Sequence, residues 1–252
     1  MSIDNEILRL RTAKADIKTA IENKGVTVGD GTIDTYAEKI NEISGGDGGS
    51  ENPFYYATTM SNIFNAATFP ENHNVIIKLS KQIPMAQTFY SSSNVKSITI
   101  IADNTESKPV SYAGFTWFCH DVEKIDFSNY GILKPTTVSR LCYQNYALKS
   151  IIGKIDLSEN TDTFQWLNSC YKLEDIEFVP NTIKISTPFS WCSLLSNKSI
   201  QSIFDGLATV ETAQTLTLHA NLKILQSQVD SANAKGWTVA GGTVVSEEEY
   251  YG

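Results

Sequence analysis

Four carboxylates, Asp126, Asp156, Asp175 and Glu177, recur near positions that read as short strands. Two carboxylates on either side of a sugar bond are the equipment of a glycoside hydrolase. In an I-x-I or I-x-F strand, however, the middle residue faces solvent, so a polar side chain there meets the needs of an exposed face without any chemistry. The same alternation turns Ser97, Thr99 and Lys124 outward, and with the four carboxylates they form one candidate binding face. Other catalytic sets are absent: the sequence has no G-x-S-x-G, P-loop, G-x-G-x-x-G or H-E-x-x-H. Cys119 and His120 are adjacent, but no C-x-x-C and no second ligand pair at metal-site spacing accompanies them. No enzyme, metal site or cofactor is therefore expected. Trp117, Trp166 and Trp191 each lie shortly before a small residue, and Tyr90, Tyr143, Tyr146 and Tyr171 flank the same places. Such rings pack turns, or they form a platform for saccharides, with rings covering sugar faces and carboxylates accepting hydroxyl hydrogen bonds. A ring more than half exposed beside an exposed Asp would mark the second use.

The elements that position these residues come from a repeat. Phe89-x-x-Ser92-x-x-Val95-x-x-Ile98-x-Ile100 is followed by Cys119-x-x-Val122-x-x-Ile125-x-Phe127 and by Leu167-x-x-Cys170-x-x-Leu173-x-x-Ile176-x-Phe178. A further copy is Phe189-x-x-Cys192-x-x-Leu195, and a weaker one is Asn145-x-x-Leu148-x-x-Ile151. The small positions Ser92, Cys119, Asn145, Cys170 and Cys192 are 27, 26, 25 and 22 residues apart. A period in the twenties predicts a solenoid with one strand per repeat. Equivalent cysteines would stack at the strand spacing of ~4.8 Å, as small buried thiols rather than disulfides. Thr116 and Cys142 stand where the template has an aromatic.

Ahead of the repeats, residues 3–22 read as a helix. Ile3, Ile7, Leu10, Ile17 and Ile21 form an a/d seam with Lys14 filling a gap, which suits self-association. A short strand at 26–28, a turn at Gly29–Gly31 and a second helix through Ile33, Tyr36, Ile40 and Ile43 complete a unit over 1–44. It is too small to bury a core alone. Residues 45–53 are a Gly-rich linker. Residues 54–84, with strand material at 54–56 and 75–79, would cap the repeats, which run over 85–205. Residues 206–245 would close the other end, through a helix at 199–207, strands at 214–219 and 237–240 and a helix from Leu222 to Ala234. Residues 246–252 read as a frayed acidic tail.

Charge and hydropathy narrow the partners. A net charge of −8 and a pI near 4.9 leave no basic excess for nucleic acid. No stretch is long and apolar enough to insert in a membrane. The start Met-Ser-Ile-Asp-Asn-Glu lacks a signal peptide's basic and apolar regions, so release by lysis is expected rather than secretion.

Two resemblances follow from these motifs. Runs such as Asn168-Ser-Cys-Tyr-Lys-Leu-Glu-Asp-Ile and Phe189-Ser-Trp-Cys-Ser-Leu resemble BspA-like leucine-rich repeats, F-x-x-C-x-x-L-x-x-I, over roughly residues 85–205. Ala13-Lys-Ala-Asp-Ile-Lys-Thr-Ala-Ile-Glu-Asn-Lys-Gly-Val-Thr-Val28 with Ile33-Asp-Thr-Tyr-Ala-Glu-Lys-Ile40 resembles the leading segment of tail and baseplate proteins of phages that infect gut bacteria. Together they imply an α/β chain: a small helical anchor, then a capped leucine-rich-repeat solenoid with one short strand per repeat. The implied role is a virion fibre that adheres to a host. Residues 1–44 would bind tail or baseplate proteins as a homo-oligomer, a trimer before other states. The solenoid would meet a host-surface saccharide or protein through Lys124, Asp126, Asp156, Asp175, Glu177, Trp117, Trp166 and Trp191. A bacterial surface adhesin with the same repeats, or a virion decoration without a receptor, are the alternatives.

Overall fold

The computed structural model describes residues 3–22, 27–28 and 54–251, and the chain divides into two units, 1–52 and 53–252. In the first unit, helix α1 (Ile3–Glu22) forms as the sequence predicts. Lys18 reaches Glu22 one turn on, at 3.9 Å, a contact worth a few tenths of a kcal/mol, ~0.3. Ile7 and Ile17 are exposed and Ile21 is buried. The side chains of Ile3 and Leu10 lie outside the described residues, as do the predicted second helix and the Gly-rich linker. Thr27 and Val28 do not form the predicted strand.

The second unit is mixed α/β, and every strand pairing described in it is parallel. The main sheet contains β1 (Thr68–Lys81), β2 (Ser93–Asn104), β4 (Lys124–Asp126), β6 (Ser150–Ile155) and β7 (Asp175–Phe178), side by side in chain order. Two short strands, β3 (Pro109–Ser111) and β5 (Lys134–Thr137), pair separately. Register follows the apolar positions of the repeat. Val75 lies beside Ile98, Ile98 beside Ile125, and Ile125 beside Ile151, all buried. Their neighbours Asn74, Ser97, Lys124 and Ser150 make the adjoining outward row. A parallel sheet usually has helices on both faces. Among the described residues from β2 to β7 the connections carry no helix, so one face stays open to solvent and the strands alternate.

In place of helices, the connections carry a second ladder. The N–H groups of Gln87, Phe89 and Ser91 donate to the carbonyls of Ala113, Phe115 and Trp117 at 2.8–2.9 Å. Gly114, Thr116 and Phe118 donate in turn to Ser139, Leu141 and Tyr143, and Arg140, Cys142 and Gln144 to Phe164, Trp166 and Asn168. Each segment bends at two left-handed residues four apart: Asn62 and Ala66, Gln87 and Ser91, Gly114 and Phe118, Arg140 and Gln144, Gln165 and Ser169. The first pair places a full turn segment and strand β1 ahead of residue 85. A bend and strand of the same kind thus occur at residues 62–81, within the segment read as a cap. Residues 54–56 form a turn rather than a strand. The Tyr55 carbonyl accepts the Ser80 N–H at 2.7 Å.

The small polar position now has a physical reason. Each such residue donates to the turn segment before it. Ser92 Oγ donates to the Phe64 carbonyl at 2.5 Å, Cys119 Sγ to Phe89 at 2.6 Å and Cys170 Sγ to Cys142 at 3.0 Å, while Cys192 Sγ lies 4.0 Å from the Leu167 carbonyl. These carbonyls are buried or half-buried and would otherwise lack a second partner. Asn145 has the same task with a longer side chain: its Nδ2 donates to Thr116 Oγ1 at 2.7 Å, and its Oδ1 accepts the Cys119 N–H at 3.2 Å. Two of the departures from the template are thus one adjustment, with Thr116 in the aromatic place answering Asn145 in the small place. All four cysteines are free and buried, and burial pushes the Cys119 and Cys142 thiols up to about 12.

Downstream, β8 (Thr187–Phe189), β9 (Gln214–Leu218) and β11 (Trp237–Ala240) form a three-stranded sheet, and β10 (Lys223–Leu225) pairs with β12 (Thr243–Val245). Helix α2 (Asn197–Gly206) is capped by Ser196. The predicted helix from Leu222 is corrected: only α3 (Gln226–Ala234) is helical, because Lys223–Leu225 are held as a strand by residues 243–245. The acidic tail is also corrected. Glu247–Tyr251 form α4, and buried Tyr250 fixes it, its hydroxyl meeting Gln228 Nε2 at 3.2 Å and the Asn197 carbonyl at 3.2 Å.

Candidate functional site

The predicted binding residues are not gathered on one surface. Lys124 and Asp126 flank buried Ile125 on β4 and pair at 2.9 Å. Asp126 Oδ1 also accepts the Ser128 N–H and hydroxyl, at 3.0 and 2.7 Å. Burial pushes this carboxyl up, but the bonds from Ser128 and Lys124 outweigh it and hold the group below its ordinary value. Asp175 and Glu177 project from β7 into a cleft of about 250 Å³, which Gly153, Lys198 and Ser202 also line. Gly153 has φ +113, and a Cβ there would meet Phe127 at 3.1 Å, so the register break in β6 that opens this cleft requires glycine. Lys154 and Lys198 reach Glu177 at 3.3 and 3.8 Å. Asp156 is corrected: it lies beyond the end of β6, off the outward rows, where it accepts the Ser158 N–H at 2.8 Å and faces Lys134.

The three tryptophans also separate. Trp166 is corrected from surface to core, fully buried with its Nε1 donating to the Pro188 carbonyl at 2.8 Å. Trp117 is half-buried, and Trp191 is 43% exposed. The difference is phase. Trp166 stands four residues before Cys170, a position that Thr88, Phe115 and Leu141 also fill as buried residues. Trp117 stands two residues before its cysteine and Trp191 one.

What the fold does assemble is a column of rings, three of them at residues directly after the small position and a fourth, Trp191, directly before it. His120 stacks on Tyr146 with centroids 4.9 Å apart, and Tyr146 stacks on Tyr171 at 6.2 Å with planes 8° apart. Trp191 meets Tyr171 edge-on at 5.9 Å. Tyr146 and Tyr171 are 40% and 43% exposed, so both keep a large wet surface short of one half, and His120 is exposed. Phe164 passes one half, at 53%, and the backbone N–H of Phe164 is capped by exposed Asp162 at 2.8 Å. Ser93 and Ser193 occupy the equivalent places in the flanking repeats. The fold therefore does not need a ring at this position, and the column is an addition to it. The sequence carried that signal as His, Tyr, Tyr directly after Cys119, Asn145 and Cys170.

A polar cleft of about 320 Å³ adjoins the column in sequence, since Asp121 follows His120 and Ala147 follows Tyr146; Asn72, Asn94, Lys96 and Glu123 also line it. Lys149 bonds Glu123 at 2.9 Å, with Lys96 at 3.8 Å. The Lys149 hydrogen bond, then its charge, holds the Glu123 carboxyl below its ordinary value. Rings beside fixed acceptors and donors suit a polyhydroxylated ligand. Among the described residues no group of three or more His, Cys, Asp or Glu is placed to hold a metal ion, and no helix is long and apolar enough to cross a membrane.

Compared with known proteins, the chain matches no family model, no curated protein and no solved structure.

Proposed function

We propose that this chain is a receptor-binding virion protein of a bacteriophage, and that it binds rather than catalyses. On this reading residues 53–252 are a leucine-rich-repeat solenoid that meets a saccharide of the host surface. The in-order parallel strands, the second ladder through the turns and the recurring left-handed pairs support the solenoid. The resemblance of residues 13–40 to phage tail proteins supports the virion, with α1 as an oligomeric anchor. Its exposed Ile7 and Ile17 are available to other copies. Several copies on one particle turn weak single contacts into firm adhesion. The carboxylates a hydrolase would need are engaged elsewhere: Asp126 and Glu177 with lysines, Asp156 in a turn.

The observation that carries the reading is the column His120, Tyr146 and Tyr171, stacked and exposed where the fold asks for nothing larger than serine, with Trp191 edge-on at its end. The test replaces Tyr146 and Tyr171 together by Ser, the residue in the flanking repeats, at a stability cost of about 3 kcal/mol for the three lost ring contacts. Labelled full-length chain is then measured for adsorption to a panel of gut commensal strains, with and without periodate treatment of their surface glycans. Adsorption that periodate and the double variant both abolish supports the reading. Adsorption indifferent to both, or absent across the panel, refutes it.

A further inference from the structure

Arg140 is the one arginine in residues 53–252. It stands at a left-handed position, φ 52, which Asn62, Gln87, Gly114 and Gln165 occupy in the other turn segments. A long cation is therefore not what the bend requires. Its backbone is locked into the ladder by its N–H, which donates to the Phe164 carbonyl at 2.9 Å. Its guanidinium carbon lies 4.7 Å from the Trp117 ring centroid and 5.0 Å from that of Phe164. Trp117 comes from the preceding segment and Phe164 from the following one, so rings flank the group on both sides. Nε donates to Gln165 Oε1 at 3.2 Å. Lys96, Lys124, Lys134, Lys149 and Lys154 each sit against a carboxylate. Among the described residues none forms an ion pair with Arg140.

We infer that Arg140 is the docking point for the carboxylate of an acidic sugar, a uronic or nonulosonic acid, in the ligand that the aromatic column binds. The inference rests on the saccharide reading of that column and adds the class of sugar. A guanidinium flanked by rings keeps its in-plane N–H edge for a ligand, and that edge matches a planar carboxylate with two parallel bonds. Half-exposed Phe164 lies beside it and offers a flat apolar surface to the sugar ring that bears the carboxylate. The site is continuous with the column. Trp117 touches Phe118 at 5.2 Å, Phe118 meets His120 at 6.3 Å, and His120 stacks on Tyr146. An acidic chain of net charge −8 repels polyanions at long range, so a preoriented guanidinium discriminates more sharply here than on a basic surface.

The test titrates the full chain with trigalacturonate and with its methyl ester, which differ in carboxylate charge, at physiological salt, where long-range repulsion is screened. Calorimetry gives affinities, and the Arg140 Nε–H resonance, assigned by its loss in Arg140→Lys, reports contact. The acid should bind about tenfold more tightly than the ester and should move that resonance. Arg140→Lys keeps the charge but loses the fork. It should erase the preference while leaving ester binding intact, and Arg140→Gln should do the same. Equal binding of acid and ester, with loss of both in the Tyr146 and Tyr171 double variant, would overturn the Arg140 inference and leave the column standing. Failure of both sugars to bind at millimolar concentration would overturn the two together. A glycerol-phosphate trimer that binds as tightly as trigalacturonate would overturn the assignment to a carboxylate.

Discussion

Asn145 offers the sharpest test of how the repeats hold together. Its amide is fully buried, donates to Thr116 Oγ1 at 2.7 Å and accepts from the Cys119 N–H at 3.2 Å. The Cys119 N–H also reaches the Thr116 carbonyl at 3.1 Å, so it keeps one partner when Asn145 is truncated. Thr116 Oγ1 still donates to the Leu141 carbonyl at 3.3 Å but loses the donor that satisfies it. Asn145→Ala therefore removes one whole hydrogen bond and weakens another, about 1.5–2 kcal/mol in all. The carboxamide-sized void adds about 1 kcal/mol. The expected loss is roughly 3 kcal/mol in urea unfolding, with the m-value unchanged. Asn145→Cys should cost less than half as much, because a thiol there can donate to the Thr116 carbonyl as Cys119 and Cys170 do to theirs.

Asn145→Asp supplies the sign. Only the neutral acid can donate to Thr116 as the amide does, and burial also favours that neutral form, so its folded pKa rises above the unfolded ~3.9. A group raised in the folded state contributes stability that is complete below the unfolded value and lost as pH climbs through the folded one. This variant should be nearest to wild type around pH 4 and fall several kcal/mol, ~3 or more, below it at neutrality. Asp126, held low by its bonds from Ser128 and Lys124, works the other way and is lost as pH drops. Urea curves at both pH values decide the matter. An Asn145→Ala variant within 0.5 kcal/mol of wild type, a difference ordinary for surface sites, would refute the reasoning. So would an Asp variant whose deficit does not grow with pH.

Two further outcomes are expected. With Cys119 and Cys142 pushed up to about 12, thiolate at pH 8 is on the order of one part in ten thousand. Iodoacetamide should therefore label none of the four cysteines until the chain unfolds, as counted by mass spectrometry; the thiols' contribution to stability, complete below pH 9, should fade as the pH approaches 12. Replacing Ile7 and Ile17 of α1 together by Asp should reduce the full chain to a monomer in light scattering and leave the circular dichroism of the repeats unchanged, whereas a variant still assembled would remove α1 from the anchor.

The apolar rows of the sheet were legible because period-two alternation and the repeat period act together. Ile98, Ile125 and Ile151 could be aligned before any fold was seen. The bends were not legible. Their left-handed sites hold Asn, Gln, Arg, Ser, Phe and Ala with a single Gly114, so the usual glycine punctuation is missing. The backbone conformation there is set by the ladder to the next segment rather than by the residue. Leu222, Ile224 and Leu225 read as the start of a helix because a short apolar run does not distinguish helix from strand; the partner that decides it, Thr243–Val245, lies past the helix. Tyr250 misled in the opposite direction. Three glutamates precede it and suggest a solvated tail, yet one buried ring and its hydroxyl contacts hold the segment.

The tryptophans show why a surface is harder to read than a core. A core position tolerates Phe, Thr, Leu or Trp as long as its phase is kept, so Trp166 belongs with Thr88, Phe115 and Leu141 rather than with Trp117 and Trp191. A surface position is free, and what it holds is informative only against its equivalents in the other repeats. Serines at 93 and 193 make rings at 120, 146 and 171 a choice, and Asn, Gln and Gly at 62, 87, 165 and 114 make arginine at 140 another. Both choices fall in the middle repeats, and ring contacts join them. An internal repeat thus supplies its own controls: wherever the backbone is held by the same ladder, a residue that its counterparts do not share answers to something outside the fold, and here the two that stand out lie on one continuous aromatic surface.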